Sequence, residues 1–221
     1  MSGQITFLQA VNRVLRRLRE KQVTTVSGAS SYVELIKEFV NESVQEVEAA
    51  WQWNSKHSVL TLTMVPGTNV YSLTGFGDEF VIQLVYNTTK NFPVKGPYRT
   101  DYLVATAYSS IDTTSAAWSF TFYGKDSSGD PQIRVYPTPG EADEWEVHAK
   151  IRTNYLTSDS DVIHVPWRPV VLGAVVKAVS ERGEDGGAAW DEVNRAYELA
   201  LADAIGYDAN GAHSNKDWCV D

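Results

Sequence analysis

The chain has 221 residues, 43% of them hydrophobic and 11% aromatic, enough for one large or two small folded domains and too much for a disordered chain. Its net charge of −9 opposes a protein that grips nucleic acid by neutralising phosphates, because such binding needs surplus Lys and Arg. A single cysteine, Cys219, excludes an intrachain disulfide and a cysteine-rich metal site. The stretch MSGQITF has neither a basic nor an apolar leader segment, and the most apolar run, Val165–Val179, is broken by Arg168, Pro169 and Lys177 and is too short to span a bilayer. The expectation is a soluble protein made in the cytoplasm, with no membrane partner.

Two helices open the chain. The first is predicted from about Thr6 to Lys21, with Phe7, Val11, Val14, Leu15 and Leu18 on one face and Arg13, Arg16, Arg17, Arg19 and Lys21 opposite. After the loop VTTVSGAS, Ser31 and Glu34 have the spacing of a capping box. They start a second helix whose apolar stripe is Ile36, Phe39, Val40, Val44, Val47 and Trp51. Trp51 is thereby expected in the bundle core, and Trp53 where helical and β parts are welded.

The period then changes from 3.6 to 2. Strands are predicted at Val59–Val65, Val70–Leu73 and 80–86, where Phe80, Ile82, Leu84 and Tyr86 share one side. Three more follow, with Trp118, Phe120 and Phe122, then Ile133 and Val135, then Trp145, Val147, Ala149 and Ile151 alternating with polar residues. Such alternation suits antiparallel strands with one solvated face. Residues 100–109 read as a short helix. Pro169 sits in the first turn of a helix to Arg182 that is apolar nearly all round, with Gly173, Ala174 and Ala178 permitting close approach. A final helix carries Trp190, Val193, Tyr197, Leu201 and Ala204 on one face, with Gly206 as its C-cap.

The order helices, strands, helices gives an α+β fold: a helical bundle built from both chain ends with an inserted antiparallel β domain. The expected boundaries are 1–56 and 166–206 for the bundle, 57–165 for the β domain, and 207–221 for an extended C-terminal tail. In that tail, Trp218 has no periodic neighbours to pack on and is expected to anchor on something else.

Chemistry is sparse. His57, His148, His164 and His213 show no metal-ligand spacing. The segment Ser158-Asp159-Ser160-Asp161 lacks the glycine and distant glutamate of a calcium loop. No phosphate loop or nucleophile motif appears. No catalytic residue, cofactor site or metal site is assigned. Charge patterning says more: Glu34, Glu38, Glu42 and Glu46 recur at every fourth residue, each neighbouring pair repelling by about 0.2–0.5 kcal/mol. A solvated face, a DNA-repelling lumen, or a basic partner surface would each accommodate the stripe. For the last, the candidate is the face of Arg13, Arg16 and Arg17, in the same chain or in a neighbouring subunit, which would make a heterologous ring interface.

Four segments carry a family resemblance: EVEAAWQWNSKHSVLTLTMVPGTNVYSL, the hairpin FTFYGKDSSGDPQIRVYPTP, HVPWRPVVLGAVVKAVSERGED, and AYELALADAI. Together they resemble the head-to-tail connector adaptors (gatekeeper, or tail tubular protein A-like) of tailed bacteriophages, from about residue 5 to 206. The resemblance implies a structural protein of the virion neck, assembled in the host cytoplasm and needing no cofactor. It implies a dodecameric ring that binds the portal protein, docks a downstream tail or nozzle protein, and passes DNA through its lumen without specific binding. By position it places portal docking at Asp217, Trp218, Cys219 and Val220. Residues 87–117 do not map onto the family pattern. The alternatives are another neck protein (a stopper or tail terminator) and, from a different class, a β-sheet module binding carbohydrate or protein through exposed aromatics such as Tyr123 and Tyr136.

Overall fold

A computed structural model describes residues 4–28, 30–77, 79–99, 116–183 and 188–213, the side chains of 188, 189 and 211–213 excepted. The fold is α+β, with helices at both chain ends and antiparallel sheets between them. The chain divides into a helical unit, Met1–Lys56 with Thr153–Asp221, and a β unit, His57–Arg152.

The helical unit begins with a two-residue strand β1 (Ile5–Thr6) and helix α1 (Phe7–Arg17). The Thr6 and Gln9 side chains cap each other's backbone at the α1 start, satisfying donors that have no partner inside the helix. The helix ends short of Lys21. Arg19 takes a left-handed φ of 60°, and Glu20 N–H donates to Leu15 O at 2.8 Å, the six-to-one closure of a Schellman turn. Helix α2 spans Ser31–Ala50. Its N-cap is Ser30, which makes no side-chain cap bond, so the Ser31–Glu34 box does not form; Glu34 pairs with Lys37 at 2.7 Å instead.

Strand β9 (Val162–Ile163), which pairs with β1, leads to α3 (Trp167–Glu181) and α4 (Ala188–His213). Helix α3 buries Pro169 to Val175 and Ala178, as expected of a helix apolar all round. A Cβ on Gly173 would lie 3.1 Å from Ser43 Oγ and 3.2 Å from Tyr197 Cε2, so the glycine permits α2 and α4 to close on α3. Gly206 is inside α4, and the segment expected as a tail from residue 207 is helical as far as His213. A seam of polar contacts holds that last stretch: Asp208 accepts from Trp51 Nε1 at 3.0 Å and from Asn54 N at 3.2 Å.

The two tryptophans at the α2 exit differ in burial. Trp51 is the C-cap of α2 and 38% exposed, outside the core, because the helix has already opened at that residue. Trp53 is 2% exposed and belongs to the helical core, its Nε1 donating to Val47 O at 2.6 Å.

The β unit has a four-stranded sheet ordered β2 (His57–Thr63), β8 (Glu144–Ile151), β4 (Phe80–Asn87), β5 (Phe92–Val94), and a three-stranded sheet ordered β3 (Val70–Ser72), β7 (Pro131–Tyr136), β6 (Ser119–Lys125). All these pairings are antiparallel. Both sheets feed one core that includes Leu62, Phe120, Ile133, Val135, Trp145, Val147 and Ala149. The alternation of β7 and β8 follows the sequence. That of β4 does not: a bulge between Ile82 and Leu84 exchanges the faces, so Leu84 is 42% exposed and Val85 2%. The expected helix at 100–109 lies outside the described residues.

Candidate functional site

Two charged helix faces dominate the helical unit. On α1, Arg13, Arg16 and Arg17 lie opposite the buried Phe7, Ala10, Val11, Val14 and Leu15, as the helical period requires. Among the described residues none of the three meets a carboxylate. Arg13 stacks its guanidinium 3.9 Å over the Trp167 ring, Arg16 donates to Gln22 Oε1 at 3.3 Å, and Arg17 is exposed. Beside Trp167 lies an open groove of about 770 Å³, also lined by Arg168, Asp203 and Tyr207; Tyr207 is 81% exposed.

On α2, Glu34, Glu38, Glu42 and Glu46 are all exposed. Within the chain their partners are not the α1 arginines. Lys177 of α3 bridges Glu46 at 2.6 Å and Glu42 at 3.3 Å. Burial alone would lower the pKa of Lys177, but the hydrogen bonds and charges of Glu46 and Glu42 outweigh it and hold the ammonium above its usual range. Tyr155, 48% exposed, is pushed up to about 12 by partial desolvation and then by its hydrogen bond to the Glu38 carboxylate. The stripe therefore keeps four carboxylates against Lys37 and Lys177, an excess of negative charge pointing outward. The structure does not bring the acidic and basic faces together in one chain. Asp217, Trp218, Cys219 and Val220 lie outside the described residues.

A clasp that spacing did not reveal sits where the chain crosses between units. Glu48, 8% exposed, accepts from Thr153 N at 2.9 Å and from the Thr153 hydroxyl, and faces Lys56 Nζ at 3.2 Å. Lys56 also donates to Thr153 Oγ1 at 2.7 Å. Lys56 is the last residue of the helical unit before the chain leaves it, and Thr153 is the first after the chain returns. Asn41, 3% exposed, holds the returning chain a second time, with Oδ1 accepting from Leu156 N at 2.8 Å and Nδ2 donating to Leu156 O at 3.1 Å. The only sequence signal for either was a polar residue on the apolar stripe of α2. Asp159 and Asp161, from the calcium-like segment, serve the backbone: Asp159 accepts from Val26 N at 2.6 Å and Asp161 from Thr157 N at 2.7 Å.

In the β unit the half-exposed aromatics have ring partners. Arg134 lies 5.3 Å over Tyr123, and Trp118 meets Tyr136 edge-on at 6.1 Å. His57 Nε2 lies 3.2 Å from His148 Nδ1, and His148 Nε2 3.3 Å from Glu146. Among the described residues no group of three or more His, Cys, Asp or Glu side chains is arranged to hold a metal ion, and no helix is long and apolar enough to cross a membrane.

Charged helix faces and a groove between helices are features suited to meeting other surfaces. A family model described as SU10 adaptor protein matches residues 5–216. The chain belongs to that family, and is thus a phage adaptor protein: a structural virion component that oligomerises and associates with other virion components. The match supports the adaptor resemblance without singling out the gatekeeper or tail tubular protein A-like branch. No curated protein matches the chain.

Proposed function

We propose that the protein is a head-to-tail adaptor of the virion neck. In this reading it forms a ring, a dodecamer, beneath the portal protein, extends the DNA channel and docks the tail. Neighbouring subunits meet through the α1 face of Arg13, Arg16 and Arg17 and the α2 stripe of Glu34, Glu38, Glu42 and Glu46. The observation that carries the interface is the charge left over on both faces: arginines without a carboxylate on α1, surplus carboxylates on α2, in one chain. An interface between two different patches builds a ring when its rotation closes and a filament when it does not; this reading takes the closed case. Arg13 on Trp167 makes the groove at the α3 start continuous with the basic face. The net charge of −9 suits a lumen that repels DNA rather than holding it. In this reading the ring assembles in the host cytoplasm, and Asp217, Trp218, Cys219 and Val220 grip the portal.

The test is assembly with the portal protein of the same virus, read by negative-stain images and by the mass of the complex. The wild-type protein is expected to add a ring of density, and Arg16→Glu/Arg17→Glu to abolish it. Adding Glu38→Arg to that variant, at the stripe carboxylate that no Lys or Arg meets among the described residues, is expected to restore the ring in part. Monomers that never join the portal would overturn the adaptor reading; rings unaffected by the arginine changes would overturn the interface alone. Truncation to probe the portal grip belongs after His213, because Asp208 holds Trp51 and Asn54.

A further inference from the structure

Every sheet edge exposes backbone groups that another strand can pair with, and folded proteins blunt such edges by shortness, proline, bulges, charge or cover. Three of the four edges of this β unit are blunted. Strand β5 has three residues with Pro93 at its centre, and β3 has three residues. Strand β6 is covered by the segment after β5, where Phe120 N donates to Lys95 O at 3.1 Å and Tyr98 N to Phe120 O at 3.0 Å. It then breaks in a bulge between Phe122 and Gly124. Strand β2 is the exception. It runs seven residues, HSVLTLT, with no proline and no Asp, Glu, Lys or Arg. Its register with β8 is unbroken from His57↔Lys150 to Thr63↔Glu144. Among the described residues, no backbone hydrogen bond reaches β2 from its other side.

We propose that the free protein pairs with a second copy of itself through β2, edge to edge and antiparallel about a two-fold axis at Leu60. The strand is self-complementary in that arrangement. Leu60 lies opposite its own counterpart and Ser58 opposite Leu62 on the core side, where Leu60 and Leu62 already pack. Val59 lies opposite Thr61 and His57 opposite Thr63 on the outer side, where all four are exposed.

The charges of the next strand agree. On the outer face His57 adjoins Lys150 and Thr63 adjoins Glu144, so one end of the edge is basic and the other acidic. Antiparallel pairing sets the basic end of each copy against the acidic end of the other, with His57 about 10 Å, two strand spacings, from Glu144 of the second copy. A parallel pairing would set like ends together. Joining the edges also covers Val59, 45% exposed, and gives each copy a continuous sheet.

In a ring built about a single rotation axis, no two-fold relates neighbouring subunits. Where the ring forms, the pair is a state of the protein before assembly; the pairing itself does not depend on the ring reading.

The test is the solution mass by light scattering at about 100 μM, a loading chosen because one strand pair lies below the ~1,200 Å² of a stable interface. Wild type is expected at twice 24.5 kDa, falling to one chain on dilution, with backbone hydrogen exchange over His57–Thr63 slowing as concentration rises. In Val59→Lys/Thr61→Lys, the introduced ammonium groups face each other across the axis, where like charges oppose pairing. This variant is expected to be a monomer with unchanged Tm. Its equimolar mixture with Val59→Glu/Thr61→Glu is expected to give the mixed dimer by native mass spectrometry. A wild-type monomer at that loading, exchange over β2 that ignores concentration, a lysine variant that still dimerises, or a mixture that stays monomeric would each overturn the proposal. Loss of the portal ring in the Arg16/Arg17 variant bears on the ring and leaves this pairing untouched.

Discussion

Glu48 in the helical unit and Asp143 in the β unit are both nearly out of solvent, 8% and 3% exposed, yet one is saturated with partners and the other is not. Glu48 takes the Thr153 N–H, the Thr153 hydroxyl and the Lys56 ammonium. Asp143 has one close partner, Asn87 Nδ2 at 3.0 Å; its Oδ1 has no hydrogen bond, and Lys90 stands off at 3.7 Å. A buried charge is costly unless paired and hydrogen-bonded. Saturation therefore marks a group whose removal strands others, and the contrast says where the chain most depends on a side chain. That place is the double crossing between units. Sequence spacing drew the eye to Trp51 and Trp53 here; within the helical unit it is Glu48, one helical turn before Trp51, that binds both Lys56 and Thr153.

The comparison is broken or sharpened by three measurements. Glu48→Ala leaves Lys56 and the Thr153 N–H without their acceptor, and is expected to cost about 3–5 kcal/mol in urea unfolding. A cost below ~1 kcal/mol would show that the clasp does not stabilise the crossing. Asp143→Ala leaves only the Asn87 amide wanting, and about 1–3 kcal/mol is expected in the same titration. Equal costs for the two would end the contrast.

The smallest effect concerns an exposed carboxylate, Glu38. Tyr155 beside it is raised from 10.0 to about 12, so the neutral phenol is favoured in the folded protein. That contribution is fully present below pH 10 and is lost as pH rises through about 12. Tyrosinate absorbance should show late-titrating residues, because burial raises Tyr71 and Tyr197 as well, and Glu38→Gln should bring down the midpoint of Tyr155. A midpoint that does not move would take Glu38 out of the cause.

The strands were legible where burial on one face leaves period-2 alternation, as in β7 and β8, and the helices where one face is apolar, as in α1. Legibility failed where a local event reset the count. The β4 bulge turned Leu84 outward and Val85 inward, and a bulge has no side-chain pattern of its own. The α4 helix ran through Gly206 because Asp208 finds Trp51 and Asn54, partners more than 150 positions away. Of the candidate site, the arginine face and the glutamate stripe were readable as spacing. That Lys177, rather than the arginines, answers Glu42 and Glu46 was not, since it depends on how α3 lies on α2.

The sequence by itself determined the fold class, the order helices–strands–helices, the sign of each helix face and the uncharged character of β2, because these follow from periodicity and residue type. Only the tertiary structure decided, among the described residues, which charges are left without a partner, which strand edge stays open, and which buried side chain holds Lys56 and Thr153. Each of those depends on contacts between residues far apart in the chain, and no local pattern encodes a contact until both of its sides are in place.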